Sequence, residues 1–162
     1  MRIVFVRHAK AMDRREFKGD NDLLRPLTED GVKEARNVFK KLAVACKAPD
    51  LVLSSKALRA AHTAEIMLDA FGKCILKQSE VLNPGCNPAA FRKLLVELGK
   101  KSDNVAVVGH DPDFTDIISD LVAGGALSIA VKKGSWIEVE WDVRAQRGTL
   151  MLLITPGFIK AL

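Results

Sequence analysis

Tyrosine is absent from the 162 residues, tryptophan occurs twice and cysteine three times. Cys46, Cys74 and Cys86 are odd in number and share no metal-ligand spacing, which argues against a disulfide framework and a zinc site. Free thiols in a reducing cytosol are the expected state. None of the three lies in a phosphate-loop pattern, so no catalytic thiol is expected. No apolar run approaches the roughly 18 residues a membrane helix needs. Charge arrives early, at Arg7, Lys10, Arg14 and Arg15, which does not read as a secretory signal. A cytoplasmic protein with no membrane partner is therefore expected. Basic faces interleaved with aromatics are also missing. The 25 Lys and Arg against 20 Asp and Glu are scattered, so nucleic acid is not an expected partner. The net charge of +5 points instead to a phosphorylated substrate.

What is present reads as one domain over residues 1–162. Ile3–Val6, Leu51–Leu53 and Val105–Val108 are short continuous apolar runs, suited to strands covered on both faces. Ala35, Val38, Phe39, Leu42 and Ala43 predict a helix from about Thr28 to Cys46, with Thr28 as cap and Glu29 and Asp30 in the first turn. Ala60, Ala64, Met67, Leu68 and Phe71 stripe a second helix that Gly72 stops. Phe91, Leu94, Leu95 and Leu98 stripe a third, and Phe114, Ile117, Ile118, Leu121 and Val122 a fourth, ended by Gly124 and Gly125. Ile137, Val139, Trp141 and Val143 alternate with Trp136, Glu138, Glu140 and Asp142, which predicts an antiparallel edge strand with one polar face. Leu150–Ile154 is its expected partner, joined through Gln146–Gly148. The fold class is α/β: three layers, a mostly parallel central sheet with helices on both faces, and a C-terminal antiparallel hairpin.

Ligands of such sheets bind beyond the carboxyl ends of the strands. The first strand ends in Arg7-His8, the second in Ser54-Ser55 shortly before Arg59, and the third in Gly109-His110. Parallel neighbours would bring two imidazoles and two guanidiniums to one rim. No acidic partner is evident beside Arg7 or Arg59, and an isolated buried charge is costly. An external anion is the economical partner, because guanidinium grips phosphate oxygens bidentately and helix N-termini add N–H groups. One neutral imidazole can attack phosphorus, and a second, protonated, can stabilise the transition state.

At these residues the chain resembles the histidine phosphatase superfamily, of phosphoglycerate mutase-like fold. The resemblance rests on three stretches, Val6-Arg7-His8-Ala9, LSSKALRAAHTAE from Leu53 to Glu65, and VAVVGHDPDF from Val105 to Phe114. They occur in the family's order over roughly the first 120 residues. The short length, the RHAKA opening and RPLTEDG (Arg25–Gly31) are most similar to the SixA-type phosphohistidine phosphatases. The resemblance implies a phosphatase in which His8 becomes phosphorylated while Arg7, Arg59 and His110 complete the pocket. No cofactor or metal is implied.

Ala9 stands where the family has Gly, Lys56 where it has Pro, and His62 where it has Gln. Arg25, Ser55, Lys56 and His62 are candidate substrate contacts; a solvated surface role is the alternative for Arg25 and His62. Many ester-cleaving members carry a glutamate acid where this chain reads SEVLNPGCNPAAF. Asn83, Pro84, Gly85 and Cys86 occupy the expected place; Glu80, a few residues early, is a fallback acid. Asp111 is another, although capping of the following helix is its expected role. An alkoxide leaving group needs a proton, worth about 10²–10⁴-fold in rate, whereas an imidazole leaves with little help. The missing acid thus favours P–N cleavage, and a phosphorylated protein domain is the expected partner. A sugar-phosphate or nucleotide phosphomonoesterase and a non-catalytic phosphate-binding module are the alternatives. Met12–Leu24 is expected to lie over the rim, and Trp136 and Trp141 leave room for a weak dimer as well as a monomer.

Overall fold

A computed structural model describes residues 1–72 and 74–161. The elements run β1 (Arg2–Arg7), α1 (Glu29–Ala45), β2 (Leu51–Ser55), α2 (Leu58–Phe71), β3 (Ile75–Ser79), α3 (Pro88–Gly99), β4 (Asn104–Gly109), α4 (Asp113–Ala123), β5 (Trp136–Asp142), β6 (Arg147–Ile154) and α5 (Pro156–Lys160). Two single-turn 3-10 segments, Asp22–Leu24 and Glu80–Leu82, lie between them. The sheet order is β3-β2-β4-β1-β5-β6. The first four strands are parallel, and β5 and β6 run antiparallel to their neighbours.

The apolar runs become strands because each is covered twice. Ile3, Phe5, Leu53, Val105 and Val107 pack with Phe91 and Leu95 of α3 and Phe114 and Ile117 of α4. Val4, Val6, Val52, Ala106 and Val108 face the other way, onto Val38, Phe39 and Leu42 of α1 and Ala60, Ala64 and Met67 of α2. Side chains of a strand alternate between faces, so a continuous apolar run serves both layers at once. The three-layer α/β expectation describes this arrangement. Among the described residues, no helix is long and apolar enough to cross a membrane.

Several local readings need correction. The expected edge strand is β5, yet it pairs with β1 on one side and β6 on the other, so β6 is the edge. The first half of the polar face of β5 is covered, while Glu140 and Asp142 are exposed: Trp136 is fully buried and stacks on Phe71 at 5.2 Å, and Glu138 pairs with Arg2 and accepts from the Trp136 indole at 2.7 Å. Period 2 correctly marked a strand with a polar face; Glu140 and Asp142 keep that face in solvent, and Glu138 is satisfied by Arg2 across the sheet. The hairpin turn falls at 143–146. The strand β3 was missed because its side chains, at the sheet's other edge, are mostly exposed and show no apolar run. The short α5 was missed too; Ile159 anchors it against the α1 layer.

Candidate active site

In the parallel register of β1 and β4, Arg7 lies opposite Gly109. One residue further along both strands come His8 and His110, and the His8 amide donates to the Gly109 carbonyl at 3.0 Å. The two imidazoles therefore arrive side by side, with ring centroids 5.2 Å apart. Both are buried, 6% and 4% exposed. Gly109 has a steric reason: a Cβ there would run into the Phe114 ring at 2.7 Å. On the other side of β4, β2 delivers Ser55, and α2 turns Arg59 inward at 3% exposure.

The segment after His8 is held from two sides. The Ala9 amide donates to Thr63 Oγ1 at 3.1 Å, and that hydroxyl donates to the Arg59 carbonyl at 2.6 Å. One threonine thus links the strand end to the helix that carries the arginine. Opposite, the Thr28 amide donates to the Lys10 carbonyl at 3.0 Å, Met12 to the Pro26 carbonyl at 3.0 Å, and Ala11 forms a bridge with Leu27. Thr28 also caps α1, accepting from the Gly31 amide at 3.0 Å. A Cβ on Gly31 would collide with the Lys10 carbonyl. The RPLTEDG stretch is therefore a brace for the strand end.

Hydrogen bonding fixes the imidazole roles. His8 Nδ1 lies 2.8 Å from the Ala9 carbonyl, which can only accept, so Nδ1 carries the proton and Nε2 keeps its lone pair. Ser55 Oγ donates to Asn83 Oδ1 at 2.9 Å and accepts from the Ala57 amide at 3.0 Å. Its remaining lone pair faces His110 Nε2 at 2.9 Å, so Nε2 is the protonated nitrogen there. His110 Nδ1 is left without a partner. Burial, opposed by the Ala9 contact and aided by Arg59, Arg7 and Lys133, lowers the His8 pKa to about 3. Burial, then His8 and Arg59, lower that of His110 to about 3 as well. Both rings are therefore neutral at pH 7 while no anion is bound. The expected protonated second imidazole requires an arriving anion to raise it.

The arginines are not unpartnered, contrary to expectation. Arg59 Nη1 donates to the Asp22 carbonyl at 2.8 Å, and Nη2 pairs with the Asp22 carboxylate at 3.1 Å. Arg25 Nε donates to the same carboxylate at 2.9 Å and Nη1 to the Met12 carbonyl at 2.7 Å. Arg14 reaches Asp22 from outside at 3.9 Å. Burial pushes the Asp22 carboxyl up, but these guanidiniums outweigh it and hold it below the ordinary carboxylate range. Arg7 Nη1 donates to the Val131 carbonyl at 2.6 Å and lies 3.5 Å from Asp111. Asp22 and Asp111 were missed as partners because they are distant in sequence from Arg59 and Arg7, respectively. Even so, Arg7 Nε and Arg59 Nε have no acceptor. Of the four buried side-chain polar atoms left unpaired among the described residues, three belong to Arg7, Arg59 and His110.

The other candidates lie at the rim or behind it. The Arg25 guanidinium stands behind Asp22. Lys56 pairs with Glu80 at 2.8 Å. That hydrogen bond, then the lysine's charge, keep the Glu80 carboxyl below its usual range, so Glu80 is an ion-pair partner at the surface and not a poised acid. Asn83, in the place of the expected acid, accepts from Ser55 and from the Lys56 amide at 2.9 Å. His62 is half-buried, while Thr63 takes the inward position one turn after Arg59. Asp111 does not cap α4; its carboxylate accepts from Thr115 Oγ1 at 2.6 Å.

Guanidiniums and imidazoles gathered beyond the carboxyl ends of a parallel sheet define an α/β protein built to receive a phosphoryl-like oxyanion. The model of the histidine phosphatase superfamily (branch 1) matches residues 3–83, and the chain belongs to that superfamily. No curated protein matches it in sequence. The fold is similar to that of the protein histidine phosphatase SixA complexed with tungstate, with TM-score 0.85, 23% identity and coverage of 97% of this chain and 98% of that one. A protein of Agrobacterium tumefaciens that bears the name SixA aligns with TM-score 0.80 at 24% identity, covering 96% and 97%. The alpha-ribazole phosphatase of Shigella flexneri aligns with TM-score 0.74 at 19% identity, covering 96% and 97%.

Proposed function

We propose that the protein is a phosphohistidine phosphatase that removes the phosphoryl group from a phosphorylated protein domain through a covalent phospho-His8 intermediate. The observation that carries this reading is the set of unpaired buried atoms on Arg7, Arg59 and His110 around an imidazole whose Nε2 lone pair is free. Unpaired buried donors are costly unless a ligand completes them. A tetrahedral oxyanion, of which tungstate in the SixA structure is an example, has the acceptors that Arg7 Nε–H and Arg59 Nε–H lack, and by raising the His110 pKa it turns the unpaired Nδ1 from an acceptor into a third donor.

In the first step His8 Nε2 attacks phosphorus in line, the P–N bond to the substrate imidazole breaks, and that imidazole leaves with the electron pair. The arginines and His110, protonated once the anion raises its pKa, balance charge on the equatorial oxygens. Water then attacks phospho-His8; His8 departs as neutral imidazole and inorganic phosphate takes up the proton. The positive charge in this scheme comes from side chains, and no metal is invoked. Asn83 in the acid's place and Glu80 tied to Lys56 support a leaving group that needs little protonation. Rapid quench with a phosphohistidine-bearing domain should trap an acid-labile, alkali-stable phosphoenzyme. His8→Asn should abolish both the trap and phosphate release; release at the wild-type rate removes His8 from the mechanism.

Phosphomonoester hydrolysis is the second reading, favoured by the alpha-ribazole phosphatase likeness and by carboxylates at the rim, Asp22 and Asp111. A panel of phosphate monoesters read against phosphohistidine by kcat/KM separates the two.

A further inference from the structure

The phosphate site lies between β1 and β4, and a second hollow lies on the other side of β1, at the same end of the sheet. Val6 stands opposite Trp136, and Trp136 opposite Ile154. The segments that precede β5 and follow β6 therefore emerge at the end of β1 that carries His8. Neighbouring strands are about 4.8 Å apart, so these segments start one strand away from the nucleophile. Between them and α1 is a cavity of about 250 Å³. Ala35, Val38 and Phe39 of α1 form its apolar wall, with Ala9 after β1 and Pro156 after β6. Ala9 directly follows His8, and the Gly134 amide, in the opposite wall, donates to the Arg7 and His8 carbonyls at 3.0 and 3.2 Å. The cavity is thus built onto the backbone of the nucleophile.

Its lining says what kind of group fits. Ala35, Val38 and Phe39 are buried, whereas Lys10 and Lys133 are exposed, so the cavity is apolar within and cationic at its opening. Its one carboxylate, Glu34, is already paired with Lys160 at 3.0 Å. Among the described residues Lys10 and Lys133 form no ion pair. Lys133 lies close enough to His8 for its charge to help lower that imidazole's pKa. A free phosphate would meet the lysines but has no use for the apolar wall. The volume is below the roughly 300–1,000 Å³ of pockets that enclose whole drug-sized ligands, and suits a single large side chain.

We infer that this cavity is a specificity pocket for the substrate protein: it takes one large apolar side chain that neighbours the phosphohistidine, with a carboxylate beside that side chain meeting Lys10 and Lys133. This rests on the phosphohistidine reading above. A phosphoryl group held at His8 and a side chain held one strand away fix the carrier at two points, which orients it for in-line attack. The buried apolar anchor supplies affinity, and the lysines supply steering and choice of partner.

Short peptides carrying one phosphohistidine test it, with free phosphohistidine as the reference. In one series Leu replaces Ala at each flanking position in turn; in a second, Asp or Lys stands beside that Leu. With the wild type, Leu at one position should raise kcat/KM at least tenfold over the all-alanine peptide, about 1.4 kcal/mol. Asp beside it should raise kcat/KM further and Lys lower it, and that difference should shrink with added salt. Ala35→Leu fills the cavity from within, so the leucine preference should vanish while free phosphohistidine is turned over as by the wild type. A far-UV spectrum and melting curve check its fold, and Ala35→Val is the smaller filling to use where Leu unfolds the protein. Lys10→Ser should narrow the Asp–Lys difference and leave the leucine preference in place. No preference at any position overturns the specificity pocket and leaves the chemistry standing, as does hydrolysis of free phosphohistidine but of none of the peptides. A preference that persists undiminished in the folded Ala35 variant belongs to another part of the surface and also overturns the inference. Protein that hydrolyses neither the peptides nor free phosphohistidine overturns the phosphohistidine reading and the pocket together.

Discussion

Two neutral imidazoles sealed beneath the rim make stability fall on acidification well before the carboxylates titrate. An unfolded histidine titrates near 6.5, whereas folded His8 and His110 titrate at about 3. As pH falls from 7 to 5, the unfolded chain takes up about 0.7 proton at each site and the folded chain almost none. Proton uptake by the unfolded state draws the equilibrium toward it. At pH 5 each ring lies about 1.5 pH units below its unfolded pKa and costs about 2 kcal/mol, about 4 kcal/mol for the pair. That is a large part of the 5–15 kcal/mol a domain usually has. The perturbation is the double variant His8→Asn, His110→Asn, which removes both titrating groups. Urea unfolding followed by the fluorescence of buried Trp136 and Trp141 gives the stabilities at pH 7 and pH 5. Other titrating groups are common to both proteins, so the difference between the two pH-induced losses isolates the pair. The wild type should lose about 4 kcal/mol more than the variant. Equal losses would refute the claim that the rings are held neutral in the folded, anion-free protein.

Asp22→Asn removes the carboxylate that competes for Arg59, so vanadate inhibition should strengthen about tenfold in titrations of residual activity; unchanged or weaker inhibition shows that Asp22 positions the arginine instead. Gly31→Ala drives a methyl into the Lys10 carbonyl and should cost about 1–3 kcal/mol in denaturant unfolding, with kcat reduced because Lys10 lies two residues from His8. Thr63→Val leaves the Ala9 amide without its acceptor and should cost about 1–3 kcal/mol, with a fall in kcat larger than any change in KM. Phosphate binding should raise the His110 pKa, so calorimetry at pH 6 in buffers of different ionisation enthalpy should detect proton uptake; zero uptake contradicts the proposed charge balance.

The sequence made the parallel layers and the strand-end residues readable because both signals are local. Val105–Val108 carries its own burial in its composition, and Gly109-His110 follows it directly. Once β1, β2 and β4 are neighbours, Arg7, His8, Ser55, Arg59 and His110 meet without further information. Asp22 was not readable, because its pairing with Arg59 depends on how a polar segment folds back across the rim, and no periodicity records that. Nor did spacing reveal that Thr63, and not His62, turns inward after Arg59; only the packing of α2 on the strand end decides it. The brace made by RPLTEDG was noticed as a pattern, while its purpose depended on the backbone approach of Gly31 to Lys10. Placing β5 at the edge failed for a related reason: alternation tells which face of a strand meets solvent, and Glu140 does, but it does not tell whether a further strand, here β6, pairs along the edge.

The threefold grip on Asp22 has a consequence for life in a phosphate-rich solution. A cradle of naked arginines would fill with the commonest small dianion around it and stay filled. With a carboxylate of its own already seated, the protein asks every visitor to evict a tenant. Inorganic phosphate, whether from the medium or just released, has few contacts with which to do so. A visitor anchored elsewhere has more, so the tenant protects the site from its own product.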